Sequence, residues 1–348
     1  MKKRALILAM AGILSTSLTG CGSLKDDAVV VKAGDTEITA GVANFYARYT
    51  QAQYETYLSG YLGGDDMWSK NASEGKTYEE SIKDTLLDDL KNMALLEEHM
   101  DEYKVSLTKA DKKAVNDAAK EFDKANSKKV KDKISASKEN VKRTMTLMTI
   151  EQRMREAIVA DADVKVSDED AAQKRMQYVA FDYSSSDASD DEKAQVKQKA
   201  EAFAEGAKKA DDFEAYATGQ GAEAKTATFD SDSVNPSAEV VKAADKLGEG
   251  EVTGVIEADG GCYVAKVTSL MDETATETKK GSLISDKQDK YYKKILKKWK
   301  KEEKITVHKG NWNKVSFTKL SVKIKDDSTT TGTDSTSSTD AAATDSAN

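Results

Sequence analysis

The sequence predicts an α+β multidomain protein, mostly helical, with a compact β-α-α-β-α-β-β unit inserted into it. Three observations predict this. Apolar residues recur at three- and four-residue spacing over most of residues 41–160. After residue 176 the pattern changes to short strands alternating with short helices. It returns to one long amphipathic helix at 286–304. The 348 residues suffice for two or three domains. Only 39% are apolar, 33% are charged and there is one proline, Pro236, a surface-rich composition with no long apolar run beyond the N-terminus.

In chain order, residues 28–39 (AVVVKAGDTEIT) read as a strand, a Gly-Asp turn and a second strand ending on Thr39, a helix N-cap. The helix that follows, residues 41–61, carries Phe45, Tyr46, Tyr49, Tyr54, Tyr57 and Tyr61, and Gly63-Gly64 breaks it. Residues 78–103 place Ile82, Leu86, Leu90, Met93, Leu96 and Met100 on one stripe. Thr108 caps a helix to about residue 126, and residues 138–160 form another, with Val141, Met145, Met148 and Ile158 on one side. Ser167 and Asp170 have the spacing of a capping box that opens a short helix to Met176.

The insert spans 173–272. Its strands are residues 177–181, 226–229 and a closing hairpin at 252–268; its helices are 191–209, 211–217 and 237–247. The helix at 286–304 holds seven lysines between Lys290 and Lys301 and no acid, with Tyr292, Ile295, Leu296 and Trp299 on the other face. That helix either lies on an anionic membrane, or leaves the small domain and packs its aromatic face on the helical domain with its lysines solvated. Residues 305–324 return to the core as strands, so 28–172 and 273–325 together make the helical domain.

The two ends carry different information. Met1-Lys2-Lys3-Arg4 is a basic start, and residues 5–18 are an apolar run ending in small residues, the layout of a signal peptide over residues 1–20. Leu18-Thr19-Gly20-Cys21 resembles the lipobox of bacterial lipoproteins, which implies lipid on Cys21 and cleavage before it. Residues 21–27 are then a tether. Loss of residues 1–20 moves the net charge from −8 to −11, which disfavours nucleic acid as a partner. Besides Cys21 there is only Cys262, so an internal disulfide is excluded once Cys21 is lipidated. Residues 326–348, all small or polar, read as a disordered tail.

Four segments carry a resemblance to the SurA/PrsA-type foldases. They are VVVKAGDTEITAGVANFYARY, LLEEHMDEYKVSLTKADKKAV, VKVSDEDAAQKRMQYVAF and KLGEGEVTGVIEADGGCYVAKV, in that family's order. The resemblance implies a SurA-N-like chaperone domain interrupted by a parvulin-type (PpiC) peptidyl-prolyl isomerase domain at 173–272. Such a domain rotates X–Pro bonds without covalent chemistry, over a pocket for the proline ring and a hydrogen-bonded floor with two histidines. On this chain the first histidine position falls on Gln177, the second on Tyr263, and the proline-pocket phenylalanine on Val240. The chain has only His99 and His308, both outside the insert. The site therefore reads as degenerate, and whether the chain is an enzyme stays open.

Neither histidine has a second ligand at helical or strand spacing, which disfavours a metal. Cys262 on an apolar strand reads as a core residue. No nucleotide or cofactor motif is present, and the expected cofactor is none. Aromatic and methionine side chains suit weak, unselective binding of apolar segments, so Phe45, Tyr49, Tyr57, Met93, Met100 and Met148 are the client-binding candidates. The expectation is a foldase or chaperone, lipid-anchored outside the cytoplasm, whose partners are unfolded or nascent secreted polypeptides. An active isomerase with an altered site is the first alternative, and a surface solute-binding or adhesive lipoprotein the second.

Overall fold

The computed structural model describes residues 13–16, 24–73 and 75–325. The basic start, Cys21 and the 326–348 tail lie outside the described residues. The chain divides into two compact units. One holds the residues up to Asp161 and from Tyr292 on; the other is Ala162–Tyr291.

The helical unit begins with β1 (Ile13–Thr16), β2 (Val29–Ala33) and β3 (Thr36–Thr39). The β2–β3 turn needs Gly34: its φ is +54°, and a Cβ there would meet the Glu98 carboxylate, which accepts the Asp35 and Thr36 amides. Next come α1 (Ala40–Tyr57), α2 (Ser59–Leu62), the small hairpin β4 (Asn71–Ser73) and β5 (Lys76–Thr77), and α3 (Tyr78–Glu98). Thr77 opens α3 and Thr108 opens α4 (Lys109–Ala125) with reciprocal capping boxes through Glu80 and Asp111. After α5 (Lys128–Lys133), α6 (Lys138–Asp161) completes the first part. The aromatic helix is shorter than its sequence suggests, ending at Tyr57, because α2 starts a separate turn after Leu58. Likewise α3 stops at Glu98, where the chain turns through Lys104 at φ 53°.

The insert is built on β6 (Lys174–Asp182), α7 (Asp190–Ala207), α8 (Phe213–Gly219), β7 (Lys225–Phe229), α9 (Ala238–Ala244), β8 (Ile256–Ala258) and β9 (Gly261–Ser269). This is the expected β-α-α-β-α-β-β order. The four strands form one antiparallel sheet in the order β7-β6-β9-β8, with α7 and α8 on one face and α9 on the other. The unit is wider than 173–272, for a physical reason. Its flanks are bonded to each other: the Gln173 amide donates to Thr276, Arg175 pairs with Asp272, Lys279 with Asp230, and Lys280 with Asp168. The Ser167–Asp170 box does form, but only a turn follows it.

The last helix, α10, runs over Glu273–Glu302, thirteen residues longer at its start than the apolar pattern shows, since 273–285 has no stripe to read. From Tyr292 on it belongs to the helical unit, with Tyr292, Leu296 and Trp299 buried and Lys293, Lys294, Lys297 and Lys298 exposed, the solvated-lysine alternative. β10 (Ile305–Val307), α11 (Lys309–Trp312) and β11 (Ser321–Ile324) close the fold. The strands order β10-β2-β3 in one antiparallel sheet, while β11 pairs antiparallel with β1. Phe45, Phe122, Ile134, Val141 and Met145 pack with Val322 of β11 in one core. Among the described residues, no helix is long and apolar enough to cross a membrane.

Candidate functional site

Strand alternation decides what faces what in the insert. On the α9 side, Met176 and Tyr178 of β6 and Ala265 and Val267 of β9 pack with Val240, Val241 and Ala244; Tyr263 packs against them, half-buried. On the α7/α8 side, Val179, Cys262 and Val264 pack with Phe203, Ala207 and Phe213. Tyr178 lies opposite Ala265 and Tyr263 opposite Ala180, so the two phenols are diagonal neighbours, with ring centroids 6.4 Å apart.

The three expected pocket positions are thus not brought together. Tyr263 and Val240 share the α9 face, but Gln177 points to the other face, where its amide donates to Glu214 of α8 at 3.1 Å. The β6 residue that faces α9 beside Tyr263 is Tyr178, one position along. A one-residue shift in a strand exchanges its faces, and the period-two pair Met176 and Tyr178 is the signal in the sequence for which residues face α9. Val240 is fully buried and lines no open cleft. The α9 face of the two central strands is thus apolar apart from two phenols. Burial, with Asp182 and Tyr178 nearby, pushes the Tyr263 phenol up, so at neutral pH it is a neutral hydrogen-bond donor or acceptor. Cys262 is wholly buried, with Tyr183 Oη 3.7 Å from its sulfur, and that contact and burial push the Tyr183 phenol up to about 12.

The client-binding candidates separate by burial. Phe45 is at 0% exposure, edge-to-face with Phe122 at 5.2 Å, and Met93 is at 2%: both are core, as their place on apolar stripes dictates once the helices pack. Tyr49 and Met148 lie partly buried against that core, and Met100 is half-buried. Tyr57 alone stands out, 66% exposed; it is joined by Leu58 and by Tyr61, which is 89% exposed. Among the described residues of the helical unit, the exposed large apolar side chains are this short run at and just beyond the end of α1. His99 is a packing residue, stacked on Trp299 at 3.9 Å with Glu102 and Glu303 at its ring nitrogens.

Two buried polar groups in the helical unit escaped the sequence reading. Glu55, 7% exposed, accepts Trp68 Nε1 (2.8 Å), Gln51 Nε2, Ser321 Oγ (2.6 Å) and the Val322 amide (2.7 Å). Gln51 in turn donates to the Phe317 and Leu320 carbonyls. Burial, then the charge of Asp89, pushes the Glu151 carboxyl up to about 7, against a smaller opposite pull from Arg155. Asp89, itself raised by burial, accepts a hydrogen bond from Tyr46. A glutamate on a helix reads as a solvated residue from sequence, and Ser321, Val322 and Asp89 lie far away in the chain, so the local pattern marks neither group.

Comparison with known proteins places part of this geometry. Residues 164–280 match the family model of the PPIC-type PPIASE domain. No curated protein matches the chain. Among solved structures it is similar to a foldase protein (PrsA) from Lactococcus lactis, at 17% identity and a TM-score of 0.36 over 83% of this chain and 97% of that one. It is similar also to foldase protein PrsA from Streptococcus pneumoniae (19% identity, TM-score 0.30, 72% and 98%). A peptidylprolyl isomerase (PrsA) from Bacillus cereus matches at 14% identity and a TM-score of 0.32, over 84% and 98%.

Proposed function

We propose that this chain, whose residues 164–280 form a PPIC-type domain, is a foldase that holds unfolded secreted polypeptides outside the cytoplasm, tethered by lipid on Cys21, with a prolyl-isomerase site that has lost its chemistry. The observation that carries the reading is the pair Tyr178 and Tyr263 on the α9 face of a domain without a histidine. Rotation about an X–Pro bond needs the partial double bond relaxed in a pocket that admits the proline ring. Here the pocket wall Val240 is buried and a phenol fills the floor on each central strand. The sheet remains as a scaffold. A second reading keeps activity: Tyr263 is half-buried, and its neutral phenol retains a donor.

The test measures cis/trans isomerisation of a panel of X-Pro peptides and aggregation of an unfolded client, both with the chain from Gly22 onward. The expected outcome is client protection without catalysis. Catalysis that Tyr263→Phe or Tyr178→Phe abolishes would establish the second reading, and absence of both activities would remove the foldase reading. Membrane retention of the full chain, lost on Cys21→Ser, tests the anchor.

A further inference from the structure

The strand β11 is held in an unusual way. It belongs to no larger sheet: one edge is bonded to side chains of α1 and the other pairs with β1. The Glu55 carboxylate accepts the Val322 amide at 2.7 Å, and Thr56 Oγ1 accepts the Ile324 amide at 2.9 Å. Gln51 takes the Leu320 carbonyl, and Val322 is pinned in the core at 0% exposure. Successive amides of a strand point to opposite edges. With Val322 and Ile324 turned to the helix, Ser321 and Lys323 present their backbone groups to the outer edge, where Leu14 and Thr16 lie opposite them in register. The helix thus fixes an extended strand whose outer edge is a template for another chain.

The segment on that template is Ile-Leu-Ser-Thr, from the apolar run that the sequence reads as a removable signal peptide. An extended, apolar stretch is what an unfolded secreted polypeptide offers. One residue beyond Thr56, at the same end of α1, begins the exposed run Tyr57, Leu58 and Tyr61. Backbone pairing at a strand edge ignores sequence, which suits an unselective client.

We infer that the outer edge of Ser321–Ile324 is a strand-acceptor site, occupied by Ile13–Thr16 in the unprocessed chain and by an extended apolar segment of a client once that leader is gone. This rests on the foldase reading and gives it a place and a geometry. Before processing, the leader blocks the site in cis; afterwards the same edge pairs in trans.

The test titrates a fluorescent peptide of residues 8–19 into the chain from Gly22 onward, read by anisotropy. Two N-methylated versions accompany it. Methylation at Leu14 and Thr16 removes the amides that face the acceptor and is expected to weaken binding at least tenfold. Methylation at Ile13 and Ser15 is expected to leave it within about twofold. Hydrogen exchange at Ser321 and Lys323 should slow on binding. Equal loss from both methylation patterns, or no binding at all, overturns the inference. A concentration-dependent dimer that the peptide fails to dissociate assigns the edge to a second copy and also overturns it. Aggregation suppression is recorded on the same sample: protection that excess peptide leaves unchanged sinks this site while the foldase reading stands, and no protection sinks the foldase reading itself.

Discussion

The core of the insert is apolar on both faces of its sheet apart from Thr253, whose hydroxyl accepts the Ala265 amide, and the buried polar residues Gln173, Asp272 and Thr276 lie on its flanks. The helical unit instead wraps its core around Arg48, Gln51 and Glu55, and half-buries Asp89 and Glu151. Buried polar groups are costly unless satisfied, so they mark where a fold needs a particular geometry rather than mere cohesion. On the α9 face of the insert's sheet, Tyr178 and Tyr263 stand among apolar residues. In this chain the demanding polar network sits beside β11. The difference is one of construction: apolar packing holds the insert together, while the helical unit fixes β11 through a satisfied polar network.

The sharpest way to break that contrast is at Glu55. Replacing Glu55 by Ala leaves Trp68 Nε1 and the Val322 amide without their acceptor in a closed core, while Gln51 keeps only the Phe317 and Leu320 carbonyls. A loss of about 4 kcal/mol is expected. Amide exchange should accelerate across residues 24–161 and not within 162–291. A change under about 1 kcal/mol would show that the network is incidental. The matching probe of the insert is Phe213→Ala. Phe213 is 1% exposed and meets Phe203 edge-on at 5.7 Å, so its loss opens a cavity worth about 3 kcal/mol, seen as faster exchange in β6 and β9. Equal and widespread effects from the two substitutions would erase the distinction between the units.

The same contrast explains what could be read from the sequence. The insert was legible because it obeys period two and period 3.6 with few exceptions: its element order and the burial of Cys262 follow from apolar pattern alone. Gln177 lies on the α8 side of the sheet, away from Tyr263, as strand alternation dictates. The caps at Thr77 and Thr108 are equally local, each set by an acidic residue three positions on. The helical unit was legible only along its stripes. The Glu55 hub joins residues about 266 positions apart, and no local rule distinguishes a glutamate that will bind four donors from one left in water. The first half of α10 was hidden for the opposite reason, since a solvated helix has no period to show.

A smaller effect separates the units by pH. Glu151 titrates near 7 when folded against an ordinary value of 4.5, so the folded unit retains a proton that the unfolded chain has released. For such a raised carboxyl, the stabilisation is complete below about pH 4.5 and is lost as pH rises towards 7. Asp89, raised by burial, acts in the same direction. Asp111, held down to about 2 by Arg153, acts only at still lower pH. Urea unfolding of the helical unit should therefore show a fall of about 2 kcal/mol from pH 5 to pH 8. Glu151→Gln should flatten most of it. A parent profile that rises over this range would overturn the assignment.

The smallest expected change is the most informative about the insert. Tyr178→Phe removes one hydroxyl from a side chain 9% exposed, for which no hydrogen-bond partner is resolved, and leaves its ring against Tyr263. If the α9 face is only packing, the ring supplies its contribution and the hydroxyl almost none. Stability should then move by less than about 1 kcal/mol, with no change in client protection. If the phenols had inherited the histidines' place on a working floor, the same deletion would leave stability alone but remove turnover of X-Pro peptides. The two outcomes share a folded protein and differ only in catalysis. The substitution thus asks directly whether the sheet was kept for its chemistry or for its shape, and the burial of Val240 beside it argues for shape.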